Sequence, residues 1–150
     1  MAAIARRSSA AESMVVNRQR RVPVAIDPLK RFAERARREL RFADDAVTVC
    51  LVSDAAIARL NRRYRGKPGP TDVLSFPSRP RRRADAYAGD IAISPSAARR
   101  NARRLARTLP RELRVLILHG MLHLAGYDHE TDRGEMDRIE RRLRRRLGLG

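Results

Sequence analysis

One helix has to organise this chain. Pro110 opens, and Gly126 closes, the most apolar helical stretch of the sequence, P-R-E-L-R-V-L-I-L-H-G-M-L-H-L-A-G. Aromatic residues make up only 4% of the chain and Trp is absent, so the core around this central helix must be aliphatic and Ala-rich. A length of 150 residues suits one ordinary domain with a single core. Hydrophobic residues at 43% exclude a wholly disordered polybasic chain. The longest apolar run, Val115 to Leu118, is interrupted by His119 and falls far short of the roughly 18–20 residues of a membrane span. Cys50, the single cysteine, cannot form an internal disulfide, and a reducing cytoplasmic setting is expected.

Shorter signals surround the central helix. Met14 to Asn17 suits a strand, and Pro28 then opens a helix to about Leu40, with Leu29, Phe32, Ala33, Ala36 and Leu40 on one face. Ala46 to Val52 reads as a buried strand. Ser53 or Asp54 caps a helix through Ile57 and Leu60 to Tyr64, ended by Gly66, Pro68, Gly69 and Pro70. Val73 to Phe76 and Asp90 to Ile93 are strands, separated by a charged loop from Ser78 to Gly89 that contains Arg81, Arg82 and Arg83. Ser94 and Pro95 start a helix to about Arg107. After the central helix, Asp132 and Glu135 look like a capping box for a last helix with Met136, Ile139, Leu143 and Leu147 inward. The order is not the regular alternation of a doubly wound fold, and no dinucleotide cofactor is expected. It predicts an α+β protein: a single compact domain over 14–150, with one small mixed sheet of about four strands packed by about five helices. Residues 1–13 are expected to be a flexible N-terminal extension, since they lack the hydrophobic core of a signal peptide.

Charge points to a class of partner. The 34 basic residues outnumber the 17 acidic ones, for a net charge of +17. Only Lys30 and Lys67 among them are lysine, a bias that a GC-rich genome also imposes. The surface attracts polyanions whatever the origin of that bias, and nucleic acid is the first expectation.

The chemistry is concentrated in the histidines. All three, His119, His123 and His129, fall at the end of the central helix or just beyond it. Four residues on a helix rotate by about 400° and rise by about 6 Å, so His119 and His123 project from one face, one turn apart. Gly126 can turn the chain back so that His129 reaches the same metal. Three protein ligands leave a fourth position open, as in catalytic rather than structural zinc sites. Imidazole ligation suits one Zn²⁺ per chain first, with nickel or another divalent metal as alternatives. Two buried imidazoles on one face would otherwise each need a separate partner.

The spacing H-x-x-x-H-x-x-G-x-x-H is shared with metzincin proteases, and the comparison excludes more than it admits. In those enzymes a glutamate general base follows the first histidine; here the position is Gly120. Met136, the candidate for their methionine turn, is spaced as an ordinary core residue. Gly120 in a helix costs about 1 kcal/mol relative to Ala, so it serves close packing or clearance near the metal.

The string His119-Gly120-x-x-His123-Leu124-x-Gly126-Tyr127-Asp128-His129 resembles the YbeY family of bacterial metal-dependent endoribonucleases and ribosomal RNA maturation factors. Two further stretches agree: Asn61-x-x-Tyr64-Arg65-Gly66-Lys67 leading to Thr71-Asp72-Val73-Leu74-Ser75-Phe76-Pro77, and Gly89-Asp90-Ile91. The likeness spans roughly Asn17 to Leu147. It implies zinc on His119, His123 and His129, with Arg65 and the metal-linked His119 as catalytic residues. It further implies hydrolytic cleavage of single-stranded RNA, maturation of the 3′ end of small-subunit (16S) ribosomal RNA, ribosome quality control, and the ribosome and its proteins as partners. Arg65 would stabilise charge on the reacting phosphate bidentately, a role lysine fills poorly. Either activated water or the RNA 2′-hydroxyl can be the nucleophile.

Around that site, Asp128 either orients a ligand imidazole or fixes the turn. Tyr127 either packs beneath the site or stacks a base, with packing preferred, and Lys67 is a further substrate-contacting candidate. Thr71 and Asp72 are expected to make a local side-chain-to-backbone turn. Two other functions remain open on sequence alone: a non-catalytic ribosome-assembly factor with a structural metal, and a metal-dependent peptidase.

Overall fold

The computed structural model describes residues 14–78, 87–128 and 131–149. The 1–13 extension, the Arg81–Arg83 stretch of the charged loop and His129 lie outside the described residues. Among the described residues the elements follow one another as β1 (Val15–Asn17), α1 (Ile26–Glu39), β2 (Val47–Leu51), α2 (Asp54–Arg65), β3 (Val73–Pro77), β4 (Gly89–Ile93), α3 (Pro95–Arg104), α4 (Leu109–Leu124) and α5 (Glu135–Arg146). This is the expected α+β succession of one small sheet and five helices, and the sheet is mixed. Its order is β1-β2-β4-β3, with β1, β2 and β4 parallel and β3 antiparallel on the far edge.

Alternation along the strands divides the core. Val47, Val49 and Leu51 of β2 and Ile91 and Ile93 of β4 face one way, into the main cluster with α1, α4 and α5. Cys50, Leu74, Phe76 and Ala92 face the other way and are covered by Ile57 and Leu60 of α2. Both central strands are buried along their whole length, which is why they read as nearly unbroken apolar runs. Their polar members are satisfied locally: the Tyr87 hydroxyl bridges the Asp90 carboxylate and Thr48 Oγ1. Cys50 is fully buried, and burial pushes its thiol up to about 11. A maleimide probe at pH 7.5 is therefore expected to label Cys50 only as the protein unfolds; rapid labelling of native protein would contradict this packing.

The α4 helix packs against α1, α3, α5, β3 and β4, the central position its apolarity implies. Thr108 caps it by accepting from the Arg111 amide, so it begins one residue before Pro110, where an amide-free ring costs nothing. For the same reason α1 begins at Ile26, with Pro28 inside its first turn. The α3 helix stops at Arg104, short of the expected Arg107. Its chain reverses through Ala106 at φ +54°, with the Arg107 amide returning to the Ala102 carbonyl. This turn lets Arg107 pair with the buried Glu112 at 3.1 Å.

Two local expectations are corrected. Asp72 makes no private turn with Thr71: its carboxylate accepts from Asn101 of α3 at 3.0 Å, tying the start of β3 to that helix. The cap of α5 is Gly134 rather than Asp132, whose carboxylate accepts from the Gly134 and Met136 amides and so still satisfies the first turn. No described helix is long and apolar enough to cross a membrane.

Candidate metal centre

The site begins with the seating of α4 on β4. A Cβ built on Gly120 would sit 2.8 Å from Ile91 Cγ2, so only glycine lets the helix approach the strand this closely. The Gly120 carbonyl also accepts from Ser75 Oγ of β3 at 3.0 Å. Close packing is thus the task of this glycine, and the two flanking histidine positions are fixed by it. Beyond His123 the helix ends in a Schellman turn: the Gly126 amide returns to the His123 carbonyl and the Tyr127 amide to the Leu122 carbonyl, with Gly126 at φ +100°.

His119 and His123 lie one above the other, with ring centroids 4.7 Å apart and ring planes at 75°. Their Nε2 atoms face each other at 3.1 Å. His119 Nδ1 meets Glu140 Oε1 of α5 at 2.8 Å, and Glu140 Oε2 accepts from Arg144 Nη2 at 2.8 Å. Burial works against ionisation of Glu140, but the hydrogen bond from His119 and the charge of Arg144 outweigh it and hold the carboxyl below the usual glutamate range.

Sequence reasoning found the imidazoles and missed this carboxylate. Met136, Glu140, Leu143 and Leu147 follow the 4-3-4 spacing of one helix face, and an acid among three core positions was the available signal.

The donor set fits one transition metal. Two imidazole nitrogens converge from one helix face at a separation that two ligands of a common ion, each about 2.0–2.1 Å from it, can subtend. Among the described residues no group of three His, Cys, Asp or Glu side chains gathers for a metal, and His129, the third expected ligand, lies outside them.

The other candidates are spread around this pair. Tyr127 packs against the main core, which accords with the packing reading. The Asp128 carbonyl accepts from the Thr131 and Asp132 amides and organises the turn toward α5. Arg65 ends α2 and is exposed, as is Lys67 just after it; neither side chain has an ion-pair partner among the described residues. They stand on the α2 side of the sheet, where the Tyr64 ring meets Phe76 of β3 edge-on at 5.3 Å. The structure brings His119 and His123 together and shows no hydrogen bond from Arg65 to either among the described residues.

The fold has a counterpart among solved structures. The solution structure of TM1509 from Thermotoga maritima superposes with a TM-score of 0.57 at 36% identity, over 81% of this chain and 80% of that one. The family model described as endoribonuclease YbeY matches residues 14–148, and this chain belongs to that family. Curated relatives named endoribonuclease YbeY include those of Solibacter usitatus, 45% identical over 87% of this chain and 86% of the relative. Another, from Moorella thermoacetica, is 40% identical over 93% and 97%.

Proposed function

We propose that this protein is a zinc-dependent endoribonuclease that cuts single-stranded RNA, acting in the cytoplasm on the 3′ end of small-subunit ribosomal RNA and in ribosome quality control. The observation that carries the reading is the pair of Nε2 atoms facing at 3.1 Å on a helix held rigidly against the sheet, in a member of the YbeY family. His119, His123 and His129 would hold the metal. A divalent ion bound there supplies Lewis-acid polarisation of a phosphate oxygen and activation of water.

The chain's own residues then do the rest. His119 and His123 are confined by the α4 backbone, so the donor geometry is set before substrate arrives. Arg65, exposed and free of any acidic partner among the described residues, is available to grip the phosphate through two N–H groups. Lys67, exposed two residues further along the chain, is a second available cation. Arg138, Arg141, Arg142 and Arg145 line a shallow groove on the outer face of α5 and extend the positive surface that attracts RNA and ribosomal partners. Gly120, pressed against Ile91, stands where the metzincin glutamate would follow His119, so the peptidase reading lacks that base.

The direct test is cleavage of an end-labelled single-stranded RNA by the zinc-loaded protein, beside chelator-treated and Arg65→Ala protein. Cutting that is lost on chelation, restored by zinc and weakened by Arg65→Ala is expected. Equal cutting in all samples would signal a contaminating nuclease and favour the assembly-factor reading. RNA affinity is further expected to fall as salt rises, by about 0.7 logarithmic units per decade for each phosphate contacted, measured by fluorescence anisotropy. A flat salt profile would contradict a phosphate-dominated interface.

A further inference from the structure

The α5 helix reaches the histidine pair from outside the motif. We propose that Glu140 is a positioning residue: its carboxylate, held by Arg144, selects the tautomer of His119 that carries the proton on Nδ1 and directs the Nε2 lone pair toward His123. The proposal deepens the metal-site reading above and rests on it for its functional meaning.

Three observations carry it. A neutral imidazole bears one ring proton, and the partner of one nitrogen decides the state of the other. An ionised carboxylate can only accept, so Glu140 Oε1 at 2.8 Å requires a proton on His119 Nδ1. Nε2 is then the bare nitrogen, and it is Nε2 that faces His123 at 3.1 Å.

The carboxylate is also fixed rather than free to swing. Its second oxygen accepts from Arg144, one turn further along α5, and Met136 and Leu143 anchor the same helix in the core.

Finally, Glu140 occupies an inner-face position whose side chain is only 14% exposed, between residues that are plain core. A charge placed there is costly unless its bonds are needed, and those bonds run to His119 and Arg144. Carboxylates that orient metal-binding imidazoles characteristically change metal affinity by about 10–100-fold when removed.

The test uses full-length metal-free protein labelled with nitrogen-15, compared as wild type, Glu140→Ala and Glu140→Gln. Correlation of the imidazole nitrogens with ring protons reads the tautomer of His119, competition with a chromophoric chelator reads zinc affinity, and circular dichroism melting controls for folding. Wild-type His119 is expected as the Nδ1–H form. Glu140→Ala is expected to shift it toward the Nε2–H form and to weaken zinc binding about 10–100-fold. Glu140→Gln offers a single acceptor oxygen to the two donors His119 Nδ1–H and Arg144 Nη2–H, so it is expected to fall between wild type and Glu140→Ala in both tautomer population and zinc affinity.

Should Glu140→Ala not fold, Glu140→Leu fills the space with an apolar side chain and makes the same comparison. A wild-type Nε2–H tautomer would overturn the proposal. So would a tautomer unchanged in the Ala or Leu variant with zinc affinity within about twofold of wild type, against the range expected of such a partner. Wild-type protein that takes up no zinc would sink the metal-site reading instead, and the tautomer comparison would still decide the role of Glu140.

Discussion

His123→Ala is expected to yield a folded protein that no longer retains zinc and no longer cuts single-stranded RNA. His123 lies in the last turn of α4, half-buried and outside the apolar core cluster, and alanine is the best helix former at such a position. The fold therefore loses little. The site loses one of the two nitrogens that converge at 3.1 Å, and His119 alone on this helix face cannot chelate. Loss of a direct ligand should exceed the effect of losing an orienting partner, so a fall in zinc affinity beyond about 100-fold is expected. Metal content per chain after gel filtration, melting temperature and RNA cleavage should be read on the same preparation. Stoichiometric zinc retained by this variant would remove His123 from the site; a protein that fails to fold would give it a structural role instead.

The second large effect is on stability. Gly120→Val is expected to cost about 3 kcal/mol, the upper part of the usual range for overpacking a core. Relief of glycine's poor helix propensity, about 1 kcal/mol, acts in the opposite direction and is too small to win. Even a bare Cβ would sit 2.8 Å from Ile91 Cγ2, and valine's two γ-methyl groups add bulk to the same contact. The melting temperature should fall by roughly 10 °C in a domain of this size. Ile91→Ala in the same chain removes the opposing methyl groups and should return part of the loss, the non-additivity of residues in contact. Full stability in the single variant would mean that α4 does not ride on β4 as closely as the structure shows.

Elements dominated by local signals were legible in the sequence. Pro28, Ser53, Ser94 with Pro95, and Gly126 each mark a helix end within a residue or two because caps and turns act on the backbone nearby. The paired imidazoles were equally legible, since helical spacing alone puts His119 and His123 on one face.

Long-range pairing left no such mark. The sequence does not say that β4 slots between β2 and β3, because parallel partners are chosen across distant segments by packing rather than by a turn. Asp72 looked local because Asp favours turns, yet its partner is Asn101 on another helix. Glu140 was hidden differently: among the arginines of α5 it reads as one more surface charge until the 4-3-4 spacing places it inward.

The position of α5 carries a consequence in time. It follows every other element in the order of synthesis, and it delivers the carboxylate that meets His119. While a ribosome is still making the chain, α4 can emerge with both imidazoles, but the contact with Glu140 must wait for the helix that comes last. The contact that orients His119 is thus made by two helices that leave the translating machinery at different times, α4 before α5.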